Sequence, residues 1–91
     1  DAGLEHLKGL TNLRQLTLDD TLVTDAGLQH LKEMTKLTYL DLGNTKVTDA
    51  GLDHLQGRNL GYLRLFGTQV TDTGVNKLRR SMPNCDIRVL K

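Results

Sequence analysis

Residues 37–52 read LTYLDLGNTKVTDAGL, and the placing of the leucines in this stretch decides the fold. Leu40 and Leu42 alternate with period two, which puts both side chains on one face of a short strand. Thr48 stands directly before Asp49-Ala50-Gly51-Leu52, where a hydroxyl caps a helix and an acid in the first turn suits the helix dipole. Leu52 and Leu55 then follow at i, i+3, an apolar stripe that faces back toward the strand. One strand and one helix of about nine residues therefore make a unit. Neither can bury its apolar side alone.

Working outward, the same text recurs on both sides. Asp1-Ala2-Gly3-Leu4, Asp25-Ala26-Gly27-Leu28 and Asp49-Ala50-Gly51-Leu52 are identical and 24 residues apart, and Asp72-Thr73-Gly74-Val75 follows after 23. Between them run Leu13-x-x-Leu16-x-Leu18-x-x-Thr21, Leu37-x-x-Leu40-x-Leu42-x-x-Thr45 and Leu60-x-x-Leu63-x-Leu65-x-x-Thr68, with Val23, Val47 and Val70 two residues further on. Leu31 to Leu37 spans six positions and Leu55 to Leu60 only five, so the lost residue lies near Gly57-Arg58-Asn59. A fixed period of this length marks an array of stacked units.

The pattern resembles the leucine-rich repeat family, L-x-x-L-x-L-x-x-N, with Thr21, Thr45 and Thr68 where the family usually has Asn. The Thr-Asp-Ala-Gly-Leu helix start is similar to a subtype common in bacterial proteins. The resemblance covers nearly the whole chain. It implies an α/β solenoid, a parallel sheet on the concave face and short helices on the convex face, with protein binding as the generic role. Stacking the units reaches the same architecture without the family name, because only neighbours can cover each unit's leucines. The threonines are expected to turn inward and bond loop backbone. Gly27, Gly51 and Gly74 sit inside helices, where glycine costs about 1 kcal/mol relative to alanine. Close packing of neighbouring helices is the expected compensation.

Composition agrees with a repeat. Nineteen of 91 residues are leucine, three are aromatic and none is tryptophan, too little aromatic volume for an ordinary single core. No apolar run approaches the roughly 20 residues of a membrane span, and no membrane partner is expected. One cysteine excludes an internal disulfide and a cysteine-built zinc site. Phosphate loops, nucleophile elbows and metalloprotease motifs are missing. The expectation is a chain that is not an enzyme and has no cofactor.

The aromatics carry the best functional signal. Residues between the strand leucines are expected on the sheet face: Arg14, Gln15, Thr17, Asp19 and Asp20 in the first unit, then Thr38, Tyr39, Asp41, Gly43 and Asn44, then Gly61, Tyr62, Arg64, Phe66 and Gly67. Tyr39, Tyr62 and Phe66 all fall there, and Tyr39 and Tyr62 occupy equivalent positions that a parallel sheet sets about 4.8 Å apart. Aromatics and arginine are favoured at binding hot spots. Cross-strand aromatic pairs also stabilise sheets that bind nothing, so a structural spacer stands beside a protein- or peptide-binding face. Asp41 and Arg64 are equivalent too, and read as an exposed cross-strand ion pair worth about 1 kcal/mol at most.

His6, His30 and His54 recur with the repeat, but the outward helix surface spaces them too widely for a shared metal, and no metal site is expected. Cys85 reads as a buried structural thiol. Residues 1–56 carry a net charge of −4 and residues 57–91 a net +5. The basic end (Lys77, Arg79, Arg80, Arg88, Lys91) reads as a solvated cap rather than a nucleic-acid surface. Residues 1–91 are expected to be one repeat domain, with 72–91 as its closing segment around Pro83. Asp1 opens inside a unit without the preceding Thr or a polar cap. The irregular third unit therefore favours a natural piece of a longer protein over a designed array. Its uncovered side around Leu4, Leu7, Leu10 and Leu13 is expected to fray or to self-associate weakly.

Overall fold

The first leucine of each alternating pair, Leu16, Leu40 and Leu63, lies at the centre of a strand, in a computed structural model that describes residues 12–89. The strands are β1 (Gln15–Thr17), β2 (Tyr39–Asp41), β3 (Tyr62–Arg64) and β4 (Asp86–Arg88). They form one parallel sheet in chain order β1-β2-β3-β4. Leu16 pairs with Leu40, Leu40 with Leu63 and Leu63 with Ile87, so the repeat alignment is also the strand register. Backbone pairing runs on past the strands. The Leu18 and Asp20 amides donate to the carbonyls of Asp41 and Gly43 at 2.8 and 2.9 Å, and those of Leu42 and Asn44 to Arg64 and Phe66 at 2.9 Å each. The expectations for the first helix, for Leu4, Leu7, Leu10 and His6, and for Lys91 lie outside the described residues.

Helical segments return the chain between strands. Asp25–Glu33 is a 3-10 helix, α1 (Asp49–Leu52) passes into a 3-10 turn at Asp53–Leu55, and α2 (Asp72–Ser81) is α-helical throughout. Apolar spacing accounts for the difference. Leu28, Leu31 and Met34 recur every three residues, which is the 3-10 period and aligns their side chains. Val75, Leu78 and Met82 recur at three and then four, which needs the wider α turn. All six are buried.

The core between sheet and helices is aliphatic. Leu28, Leu31, Leu37, Leu40, Leu42, Leu55, Leu63, Leu65 and Leu78 are fully covered, each burial contributing about 2 kcal/mol. Leu13, Leu16 and Leu18, at the outer edge of β1, are only partly buried. No aromatic side chain belongs to this core.

Two recurring details join the units. Thr21, Thr45 and Thr68 donate to the carbonyls of Leu18, Leu42 and Leu65 at 2.6–2.7 Å. Each therefore bonds its own loop backbone. Thr45 is buried and Thr68 partly so, while Thr21 stays exposed, because β1 has no strand on its outer side among the described residues. The loop residue at 20, 44 and 67 takes positive φ in every unit (61°, 55° and 74°). Asp, Asn and Gly stand there, the residues that tolerate the left-handed region best.

At Gly51 and Gly74 the expected close approach of neighbouring helices is found. What lies over Gly51 and Gly74 is mainly an acid of the preceding unit. The Asp25 carboxylate accepts from the Thr48 amide (2.7 Å) and hydroxyl, and Asp49 accepts likewise from Thr71 (2.8 Å at the amide). Thr48 and Thr71 in turn accept from the Ala50 and Gly74 amides at 3.3 and 3.2 Å. A Cβ at Gly51 would collide with the Asp25 carboxylate, and one at Gly74 with that of Asp49. Leu28 of the same neighbouring helix stands 3.0 Å from the Gly51 site, so the contact is close helix packing with the first-turn acid as its nearest part.

This relay has a pH signature. Its bonds from the Thr71 hydroxyl and amide hold the Asp49 carboxyl below its ordinary value. A depressed folded-state pKa gives stability that is present above the unfolded value, near 3.9, and is lost as pH falls through the folded one. Acidification from pH 5 to pH 2 is therefore expected to destabilise the protein more steeply than its Asp49→Asn variant. Urea midpoints at several pH values measure this; parallel curves would contradict it.

Candidate functional site: the sheet face

Three rows of side chains stand on the sheet face, set by strand register. Gln15, Tyr39, Tyr62 and Asp86 make the first, and Thr17, Asp41, Arg64 and Arg88 the second. The third follows one step beyond the strands, with Asp19, Gly43 and Phe66. Tyr39 and Tyr62 stack with ring centroids 4.8 Å apart and planes 12° from parallel. That spacing equals the separation of neighbouring strands, so the rings stack along the hydrogen-bonding direction of the sheet. Both are half-exposed.

In the second row Arg64 donates to Asp41 at 3.0 Å. The other Asp41 oxygen accepts from the Gly43 amide at 2.9 Å. Here the expectation of an exposed ion pair is corrected, because Asp41 is only 3% exposed. The Arg64 guanidinium carbon lies 3.9 Å from the Phe66 ring centre, a cation–π contact. Phe66 in turn covers Gly43, where a Cβ would stand 2.8 Å from its ring. Phe66, Arg64 and Asp41 thus form one interlocked layer, held at its base by a glycine backbone. Burial of the acid is what the exposed-pair reading lacked.

Tyr39, Tyr62, Asp41, Arg64 and Phe66 are brought together as two adjoining clusters. Gln15 is the register partner of Tyr39. Among the described residues, no hydrogen bond or ion pair ties the side chains of Arg14, Gln15 or Asp19 to either cluster. Asp86 and Arg88 at the far side pair with each other at 2.8 and 3.1 Å, which holds the Asp86 carboxyl low and the Arg88 guanidinium high. Open grooves of about 430 and 220 Å³ lie elsewhere. The larger is bordered by Lys32, His54 and Arg58, the smaller by Asp49, Thr73 and Lys77, and neither includes a sheet-face residue.

Residues 11–57, half of the chain, match the family described as Leucine Rich repeats (2 copies). The chain belongs to the leucine-rich repeat family. Such repeats commonly mediate protein–protein contacts and are typically not enzymes. No curated protein matches this leucine-rich repeat chain. Among solved structures, a chain in "Structure of Chaetomium Mex67:Mtr2 subunits" is similar with a TM-score of 0.73. The identity is 15%, over 94% of this chain and 67% of that one, a likeness of fold alone.

Other candidate residues of the repeat lie outside the strands. His30 and His54 are half-exposed, and among the described residues no three His, Cys, Asp or Glu converge on a metal position. Among those residues no helix is long and apolar enough to cross a membrane. Cys85 is half-buried against the core rather than fully enclosed, and burial, with Asp86 beside it, pushes its thiol up. Lys77 pairs with Asp53 at 3.6 Å, and Arg79 donates to the Ile87 carbonyl at 3.3 Å. Arg58 escaped the sequence reading. Set by the shortened loop after Gly57 (φ 74°), it donates to the Leu31 and Met34 carbonyls at the end of the 3-10 helix. Burial lowers the pKa of its guanidinium. The period break at residues 57–59 was its only advance signal.

Proposed function

We propose that this chain is a protein-interaction module that takes a protein or peptide on its sheet face. The centre of the site is Tyr39, Tyr62, Phe66, Asp41 and Arg64, and Arg14, Gln15 and Asp19 form its β1 side. One observation carries the reading. All three aromatics stand half-exposed on one face, two of them stacked and the third under an ion-paired arginine, while the core contains none. Ordering these side chains before binding removes part of the entropy cost of association. A broad, rigid surface of rings and one arginine suits a macromolecular partner. Catalysis has no place in this reading. Asp41, the buried acid on the face, is already committed to Arg64 and the Gly43 amide.

A spacer is the competing reading, favoured by the Tyr39–Tyr62 stack itself, since such a pair stabilises a sheet by up to about 1 kcal/mol without any ligand. Affinity capture from lysate of the source organism separates the two. The unmutated chain is compared with the Tyr39→Ser, Tyr62→Ser, Phe66→Ser triple variant, and circular dichroism checks that both are folded. The expected result is a protein retained by the first and lost by the second. Truncating hot-spot residues costs about 2 kcal/mol or more each, so affinity should fall by at least roughly 30-fold. Two empty lanes would favour the spacer, and equal retention would overturn the ring-centred site.

A further inference from the structure

The charges on the sheet face are not evenly satisfied. Asp41 is paired with Arg64 and Asp86 with Arg88, so β2, β3 and β4 balance their own ions. Among the described residues, Asp19 and Asp20 in the first unit have no cationic partner and Arg14 no anionic one. Arg14 precedes β1, and the two acids follow it. Along β1 the surface therefore runs from positive to negative, and ends with the acids in excess.

Ring geometry points to the same side. Because Tyr39 and Tyr62 stack along the sheet at the strand spacing, Tyr62 covers one ring face of Tyr39 and the other turns toward β1. There the floor is Gln15 and then Thr17, the register partner of Asp41, and both are exposed. The outer face of Tyr62, by contrast, turns toward the Asp86–Arg88 pair. The open ring face suits a cationic side chain's stem by its quadrupole, and the uncompensated carboxylates further along the chain attract its charge. Asp19 lies four residues past the level of Tyr39, about 13 Å along the strand. The aliphatic stem and charged head of one basic side chain cover part of that gap, and the Tyr39 ring and the Asp19 side chain reach toward it from either end. Unit one also differs at Leu22, which is 77% exposed where the other units have Lys46 and Gln69.

Building on the sheet-face reading, we infer that the partner is a basic segment: an arginine or lysine lies over Thr17, its stem on the open face of Tyr39 and its head at Asp19. Asp20 adds to the negative field, and Leu22 offers an apolar contact for a neighbouring residue. Arg14 repels a cation at the start of β1 and so directs the basic group to the far end. The balanced β3–β4 side contributes shape and rings rather than charge.

The test uses two synthetic peptides, Gly-Arg-Ser-Arg-Gly and Gly-Glu-Ser-Glu-Gly, titrated into the isotopically labelled 91-residue protein while its amide resonances are followed. The arginine peptide is expected to shift Thr17, Asp19, Asp20 and Tyr39, and the glutamate peptide to leave them unmoved. Asp19→Asn and, separately, Tyr39→Leu should each weaken the arginine peptide about three- to tenfold, and raising salt to 0.5 M should weaken it similarly. Asparagine matches the shape of aspartate, and the Asp19 side chain makes no hydrogen bond among the described residues, so that variant is expected to stay folded, which its amide spectrum checks. Equal shifts from both peptides, shifts centred on Asp53 or Asp86, or an unchanged affinity in Asp19→Asn would each overturn the inference. Failure here together with ring-dependent capture from lysate would leave the binding-module reading standing. Capture that survives loss of the rings would remove both.

Discussion

Replacing Gly74 with alanine is expected to destabilise the protein by about 2–3 kcal/mol, although alanine is the better helix former. Position 74 lies inside α2, where propensity alone favours the substitution by about 1 kcal/mol. The new methyl group has nowhere to go. A Cβ there overlaps the Asp49 carboxylate, which is fixed by the amide and hydroxyl of Thr71. Either the carboxylate leaves, with loss of two charge-assisted bonds worth about 1.5–3 kcal/mol each, or α2 moves off its neighbour. Urea denaturation measures the loss. A double-mutant cycle identifies the cause, because in an Asp49→Ala background the sign should reverse and Gly74→Ala should become neutral or stabilising. A loss of the same size in both backgrounds would show that the acid is not what glycine accommodates.

Asp41→Ala is expected to cost about 3 kcal/mol, several times what an exposed ion pair is worth. The carboxylate satisfies the Gly43 amide, which is itself buried, and an orphaned buried donor costs about 1–3 kcal/mol. Arg64 also loses its counter-charge. Its side chain is 32% exposed, so water offsets part of that and the remainder is about 1 kcal/mol. Against a total stability of about 5–15 kcal/mol for a domain, this is a large fraction. Thermal and urea unfolding of Asp41→Ala and Arg64→Ala measure the difference: the acid should be the costlier of the two. Equal losses below 1 kcal/mol would return the pair to the exposed class.

How much could be read in advance varied with the range of the interaction. Leu16, Leu40 and Leu63 announced strands and their register, because a 24-residue period brings equivalent residues side by side in any parallel stack. Tyr39 beside Tyr62 followed from the same counting, and so did Asp41 beside Arg64. The single-residue deletion at 57–59 was visible, whereas the role of Arg58 was not. Its partners are backbone carbonyls at Leu31 and Met34, and carbonyls have no letter in a sequence. The turn at Asp20, Asn44 and Gly67 was legible in principle. Three residue types that tolerate positive φ stand at one repeat position.

By itself, then, the sequence determined the repeat, the order and register of the strands, and which side chains share the sheet face. Periodicity is a one-dimensional property, and parallel stacking converts it directly into neighbours. Tertiary structure alone decided how far each group is removed from water and what fills the space beside it. Asp41 is buried because Phe66 closes over Gly43 next to it, and Gly74 is glycine because Asp49 reaches across from another unit. The 3-10 form of residues 25–33 was settled by both. Its three-residue spacing is written in the chain, but only burial of Leu28, Leu31 and Met34 against the sheet gives that spacing the free energy to override the usual preference for an α-helix.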